Sequence, residues 1–190
     1  MNLTTIIVAF LSFILGLIGN LTIQWWVDRK RLKRIEGALK LHLTDIILKD
    51  CEVLRREYER IIVAVQQHTS YYLTLKVFET FDNEIYKANN PSDYYKIYGI
   101  KDARKFEKLV SIYSIISFLK ENLPHKIHSD YITKIDLHLD KNLKDGESRE
   151  EHFKKCNNCD AIRLDCKSTC QMRMNEIDEL KKLIGELLMN

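Results

Sequence analysis

Four of the chain's five cysteines fall between residues 156 and 170, in the pattern Cys156-x2-Cys159-x6-Cys166-x3-Cys170. Zinc takes four soft donors in a tetrahedron, and two cysteines a few residues apart supply a pair of them. The spacing predicts a zinc site built from Cys156, Cys159, Cys166 and Cys170, which would fold the segment 148–170 into a hairpin. Two features run against it. The six-residue spacer is short for a zinc ribbon, and no glycine follows either pair to form a tight knuckle.

The opening Cys-x2-Cys-x6-Cys resembles the first half of a fungal binuclear zinc cluster. The second half is missing, and nothing about function is carried over from that family. Two other readings of the cysteines stay open. On one unbroken helix over 148–188, Cys159, Cys166 and Cys170 share a face, with Cys156 close by, and serve as small apolar core residues. In an oxidising compartment the same thiols would form disulfides or a redox switch. His152, four residues before Cys156, is a substitute ligand. His125 and His128 flank Pro124 at a helix start and read as solvated. The acidic residues sit at the spacing of a wet helix surface, and no paired catalytic carboxylates stand out.

The element that sets the compartment of these thiols is at the other end of the chain. Ile6–Val27, IIVAFLSFILGLIGNLTIQWWV, carries no charge. At about 1.5 Å per residue it is long enough for a hydrocarbon core of about 30 Å. A cleaved signal peptide would want a basic start and small residues at its end. MNLTT has no basic residue, and Trp25-Trp26 closes the run. The segment therefore reads as a signal-anchor, with Trp25 and Trp26 at headgroup level. Arg29, Lys30, Arg31, Lys33 and Arg34 follow at once, and nothing basic precedes the span. The positive-inside rule puts the N-terminus outside and the C-terminal part in the cytosol, at a cell (inner) membrane. Thiols in the cytosol stay reduced, which favours metal or burial over disulfides.

Ser12, Gly16, Asn20 and Gln24 recur every four residues along the span, with Gly19 beside them. Small residues let helices approach closely, and an amide in lipid gains by bonding across to a neighbour. That stripe predicts a homo-oligomer. The basic cluster, with Trp25 and Trp26, predicts contact with membrane lipid.

Behind the span the pattern is helical throughout. Leu32, Ile35, Leu39, Leu43, Ile47, Cys51, Leu54, Tyr58, Ile61 and Val65 advance by three or four residues. Glu36 with Lys40, Asp45 with Lys49 and Glu52 with Arg56 are expected i,i+4 pairs. No proline parts this helix from the span, so one rod is expected to leave the membrane. A second helix is expected over Tyr72–Ala88, with Leu75, Phe78, Phe81 and Ile85 inward. Asn89-Asn90-Pro91-Ser92 ends it. Tyr94, Tyr95 and Tyr98 are expected to pack over a core with their hydroxyls wet. Further helices are expected over 101–123, 126–143 and from Ser148 onward, with a turn at Lys144–Ser148.

The fold class expected is all-α: one transmembrane helix followed by a cytosolic bundle of about four or five helices. The expected divisions are 1–27 (anchor), 28–145 (bundle) and 146–190 (a cysteine-containing helical segment). This layout is similar to that of bacterial single-span proteins in which a basic juxtamembrane helix leads into a helical domain, here IEGALKLHL and later KFEKLVSIYSIISFLKENL. The likeness is one of architecture and implies no activity.

A net charge of +3 is too small to indicate nucleic acid. No phosphate-binding loop, dinucleotide fingerprint, nucleophile elbow or HExxH is present, so an enzyme is not expected. The expected function is a membrane-anchored interaction, scaffold or sensor module with a cytosolic partner or ligand. The alternative is a membrane-perturbing effector, for example in phage defence, controlled by its cytosolic domain.

Overall fold

The computed structural model describes residues 3–67, 81, 83–100 and 102–189. Among them there is no strand. The uncharged run and the apolar stripe behind it form one rod. Helix α1 (Leu3–Leu41) passes through a π-helical turn (His42–Ile47) into α2 (Leu48–Gln67). Then come α3 (Glu84–Lys87) and α4 (Pro91–Tyr94), which winds into a second π turn (Tyr95–Gly99). Helices α5 (Ala103–Glu121), α6 (Pro124–Asn142), α7 (Arg149–Lys155) and α8 (Asn157–Leu188) complete the chain.

The N-terminal half of α1 is long and apolar enough to cross a membrane. Its large side chains, such as Phe10, Phe13 and Leu15, stand exposed, as a lipid-facing helix requires. From Leu39 onward the rod turns one face to the core. Leu39, Leu43, Ile47, Cys51, Leu54, Tyr58 and Ile61 are fully buried. Two of the expected i,i+4 pairs form, Lys40 to Glu36 at 3.2 Å and Lys49 to Asp45 at 4.0 Å. The third does not. Arg56 instead donates to the Glu52 carbonyl at 3.2 Å, and the Glu52 carboxylate is taken by Lys181 of α8.

That cross-helix pair has a neighbour, Arg55 with Asp178. Three residues forward on α2 match three residues backward on α8, so the two helices are antiparallel. The N-terminus of α8 therefore lies toward Gln67, at the end of the bundle farthest from the uncharged run. Ion pairs this exposed contribute about 0–1 kcal/mol each; burial holds the bundle. Leu109, Ile112, Ile116 and Leu119 of α5, Ile135 and Leu139 of α6, and Cys170, Ile177, Leu180 and Ile184 of α8 share one core with α2. Helix α8 thus packs into the same core as α2, α5 and α6.

Capping residues set the helix ends. Asp102 accepts from the Arg104 amide at 3.0 Å and starts α5. Pro124 is the first residue of α6, where its missing amide proton would have had no partner anyway.

At the end of the bundle nearest the uncharged run, an aromatic column joins four elements. The buried His42 lies with Nδ1 3.1 Å from the Tyr113 hydroxyl. Tyr113 stacks on Tyr86 at 4.5 Å between centroids, and Tyr86 on Tyr94 at 4.8 Å. The tyrosine hydroxyls are drier than expected. Tyr94 is fully buried and donates to the carbonyls of Tyr86 and Ile85, at 2.8 and 3.0 Å, while Tyr95 is half-exposed. Of the helix expected over Tyr72–Ala88, Phe81 is buried and Ile85 half-buried, whereas Leu75 and Phe78 lie outside the described residues.

Candidate metal centre

Four donors converge where α6 ends and α8 begins. They are His138, His152, Cys156 and Cys159, with their ligand atoms all within 4.8 Å of one another. His138 lies on the last turns of α6. Its Nε2 is 3.1 Å from Cys156 Sγ. Gly146, at φ +83°, turns the chain back after α6, a conformation that suits glycine. Ser148 then starts α7 with a capping box: its hydroxyl accepts from the Glu151 amide at 3.2 Å, and the Glu151 carboxylate accepts from the Ser148 amide at 3.3 Å. One turn into α7, His152 faces the cluster.

The chain breaks between α7 and α8 at Cys156, which is extended at φ −99°, ψ 106°. Cys156 is the N-cap of α8 and Cys159 lies one turn in, its amide donating to Cys156 Sγ at 3.4 Å. A thiolate at a helix N-terminus is stabilised by the amides that have no partner in the helix. Burial pushes the Cys156 thiol up, but hydrogen bonds from the Cys159 amide and thiol, from His138 and from the Asn158 amide outweigh it and bring it down to about 6. Cys159, more deeply buried and bonded to Cys156, is pushed up to about 12. The hydrogen bond between the two thiols thus favours ionisation of Cys156 over Cys159.

The histidines are oriented from behind. Glu147 Oε2 lies 3.1 Å from His152 Nδ1, and the carboxylate raises the His152 pKa by holding that proton. The same carboxylate accepts from the Lys144 amide at 3.3 Å, tying the turn to the ring. His152 Nε2 is buried on the side away from Glu147 and faces the Cys156 thiol, within 4.8 Å of the other ligand atoms. Carboxylate behind imidazole is the usual way a metal-binding histidine is fixed. Asn142 donates to the His138 carbonyl at 2.8 Å, with its side-chain nitrogen 3.3 Å from His138 Nδ1. The donor set and its spacing fit a metal ion.

The expected set Cys156, Cys159, Cys166 and Cys170 is not brought together. The hairpin over 148–170 does not form either, because α8 runs straight from Asn157. Cys166 therefore sits about 10 Å along the axis from Cys159, too far for two ligands of one ion. Cys159, Cys166 and Cys170 all lie on the buried face of α8, as the core-face reading expects. The Cys170 thiol is raised by its hydrogen bond to Cys166 and by burial. Cys51 is buried in the main core and pushed up to about 12, mainly by that burial. All five cysteines are free thiols.

The other sequence-selected residues lie along α1. Ser12, Gly16, Gly19, Asn20 and Gln24 are exposed on α1, with open space around both glycines. Trp25, Trp26, Arg29, Lys30 and Lys33 line one groove. Arg31 leaves that face and donates to Asp93 at 2.9 Å; Arg34 is exposed.

In comparisons with protein-family models, curated proteins and solved structures, none matches this chain.

Proposed function

We propose that the chain is a single-span membrane-anchored module, N-terminus outside, whose cytosolic helical bundle serves as an interaction or sensor platform with zinc at its membrane-distal end. The observation that supports this most directly is the continuity of the rod. One helix carries the chain from exposed apolar residues into a fully buried core stripe without a flexible link. Such a module is held at a fixed height and orientation on the membrane. Zinc suits the distal site because it accepts two thiolates and two imidazoles in a closed tetrahedron, the arrangement of structural rather than catalytic zinc. There it would tie α6, α7 and the start of α8 together.

Reporters fused after Asn190 test the topology. A cytosolic-type reporter is expected to be active and a periplasmic-type reporter silent. The reverse result overturns the orientation, and with it the reducing compartment on which the thiolate ligands depend.

The exposed Ser12/Gly16/Asn20/Gln24 stripe supports the second reading, an effector whose assembled spans perturb the bilayer. That reading predicts toxicity on overexpression that disappears when residues 1–27 are removed.

A further inference from the structure

The juxtamembrane cations divide into two faces that the sequence presents as one cluster. Arg31 points toward the bundle, where its guanidinium is 2.9 Å from the carboxylate of Asp93, a side chain only 6% exposed, and 3.9 Å from Asp28. Ile35 and Leu39 continue that face into the core. On the other side, Trp26, Arg29, Lys30 and Lys33 recur at steps of three, one and three residues, and with Trp25 they line a groove along α1. The Lys30 ammonium stands 3.9 Å from the centre of the Trp26 ring, and the Arg29 guanidinium 5.1 Å from that of Trp25. Each cation thus caps an indole face, and the open side of the groove carries positive charge. Among the described residues none of Arg29, Lys30 and Lys33 has an acidic partner.

Depth selects the occupant. Lys33 is about 9 Å along the axis from the end of the uncharged run at Val27. The headgroup layer on one side of a bilayer is about 5–7 Å thick, and lysine and arginine side chains reach back toward it. The groove therefore opens at the level of lipid phosphates, with the indoles against the glycerol and upper acyl region.

We propose that this groove is a binding site for the headgroup of an anionic phospholipid, its phosphate between Arg29, Lys30 and Lys33 and its backbone against Trp25 and Trp26. The proposal rests on the reading of α1 as a span. The site's role would be to keep a negatively charged lipid shell on one side of the rod while the bundle occupies the other.

Trp25 and Trp26 are the chain's only tryptophans, so tryptophan fluorescence reads this site alone. The full chain is reconstituted in phosphatidylcholine bilayers containing a minority of phosphatidylglycerol, with the quenching bromines placed on the acyl chains of one lipid or the other. Brominated phosphatidylglycerol is expected to quench roughly threefold more than its share of the bilayer predicts. Lys33→Gln should reduce that excess by roughly half, while Arg34→Gln, which removes the same charge from outside the groove, should leave it. Quenching in proportion to composition overturns the site, as does an equal loss from the two variants. Quenching by neither lipid overturns the span itself, and so separates failure of the underlying reading from failure of the inference.

Discussion

His152 decides whether the candidate metal centre closes, because its ring is held by Glu147 on one side and faces the Cys156 thiol on the other. Purified without chelator, the full chain is expected to carry about one zinc. His152→Ala or Cys159→Ser should abolish it, whereas Cys166→Ser and Cys170→Ser should leave the metal content unchanged. Elemental analysis reads both. Loss of zinc from the Cys166 or Cys170 variants would restore the four-cysteine set. Glu147→Gln, which keeps the shape and removes the charge behind the ring, should weaken binding about 10-fold. The sequence showed three of these four residues, with His152 only as a substitute ligand. Cys156 and Cys159 follow from the two-residue spacer, and His152 from its place one helical turn before Cys156. His138 does not. It precedes His152 by fourteen residues and joins the cluster only because Gly146 and the Ser148 capping box reverse the chain. Local spacing cannot carry a ligand supplied by a second antiparallel helix.

At the scale of the element, the rod was legible and its π turn was legible in hindsight. Leu39, Leu43, Ile47 and Cys51 are separated by three successive steps of four. In an α-helix each such step overshoots by about 40°, so the stripe would drift about 120° off the core. The π turn at His42–Ile47 absorbs the drift and keeps all four residues buried. The second π turn depends on close approach: a Cβ on Gly99 would run into the Tyr95 ring, which packs edge-on against Phe106. Two alanine substitutions should therefore have opposite signs. Gly37→Ala, on an exposed stretch of α1 with open space around it, should stabilise by about 1 kcal/mol. Gly99→Ala should destabilise by about 1 kcal/mol or more, since the tyrosine must leave its contact. Denaturation midpoints of the two variants measure this, and a shift of the same sign in both would refute the packing account.

For the whole molecule, the all-helical class was readable from period and composition, because two prolines and six glycines leave long uninterrupted stretches. The way α8 lies along α2 was not, since it is fixed by surfaces distant in sequence, with Glu52 choosing Lys181 over its local neighbour Arg56. Assembly belongs to this scale as well. Gly16 has nothing near its missing side chain, so a second helix can approach there. Gly16→Leu is expected to weaken self-association of the span in a membrane two-helix assay, by holding the backbones apart. Unchanged association would remove the stripe as an interface.

The π turn at His42–Ile47 has a rotational consequence. Such a turn carries one residue more than the α-helical turn it replaces. Deleting one residue as the turn closes would leave the azimuth nearly unchanged, whereas rewinding the same six residues as plain α-helix, with none deleted, would swing everything before them by about 100° about the axis, with the bundle standing still. Arg31 would then point away from Asp93, and the tryptophan groove would face a different sector of the membrane. If α1 spans a membrane, its azimuth is therefore set by how one turn of helix is wound.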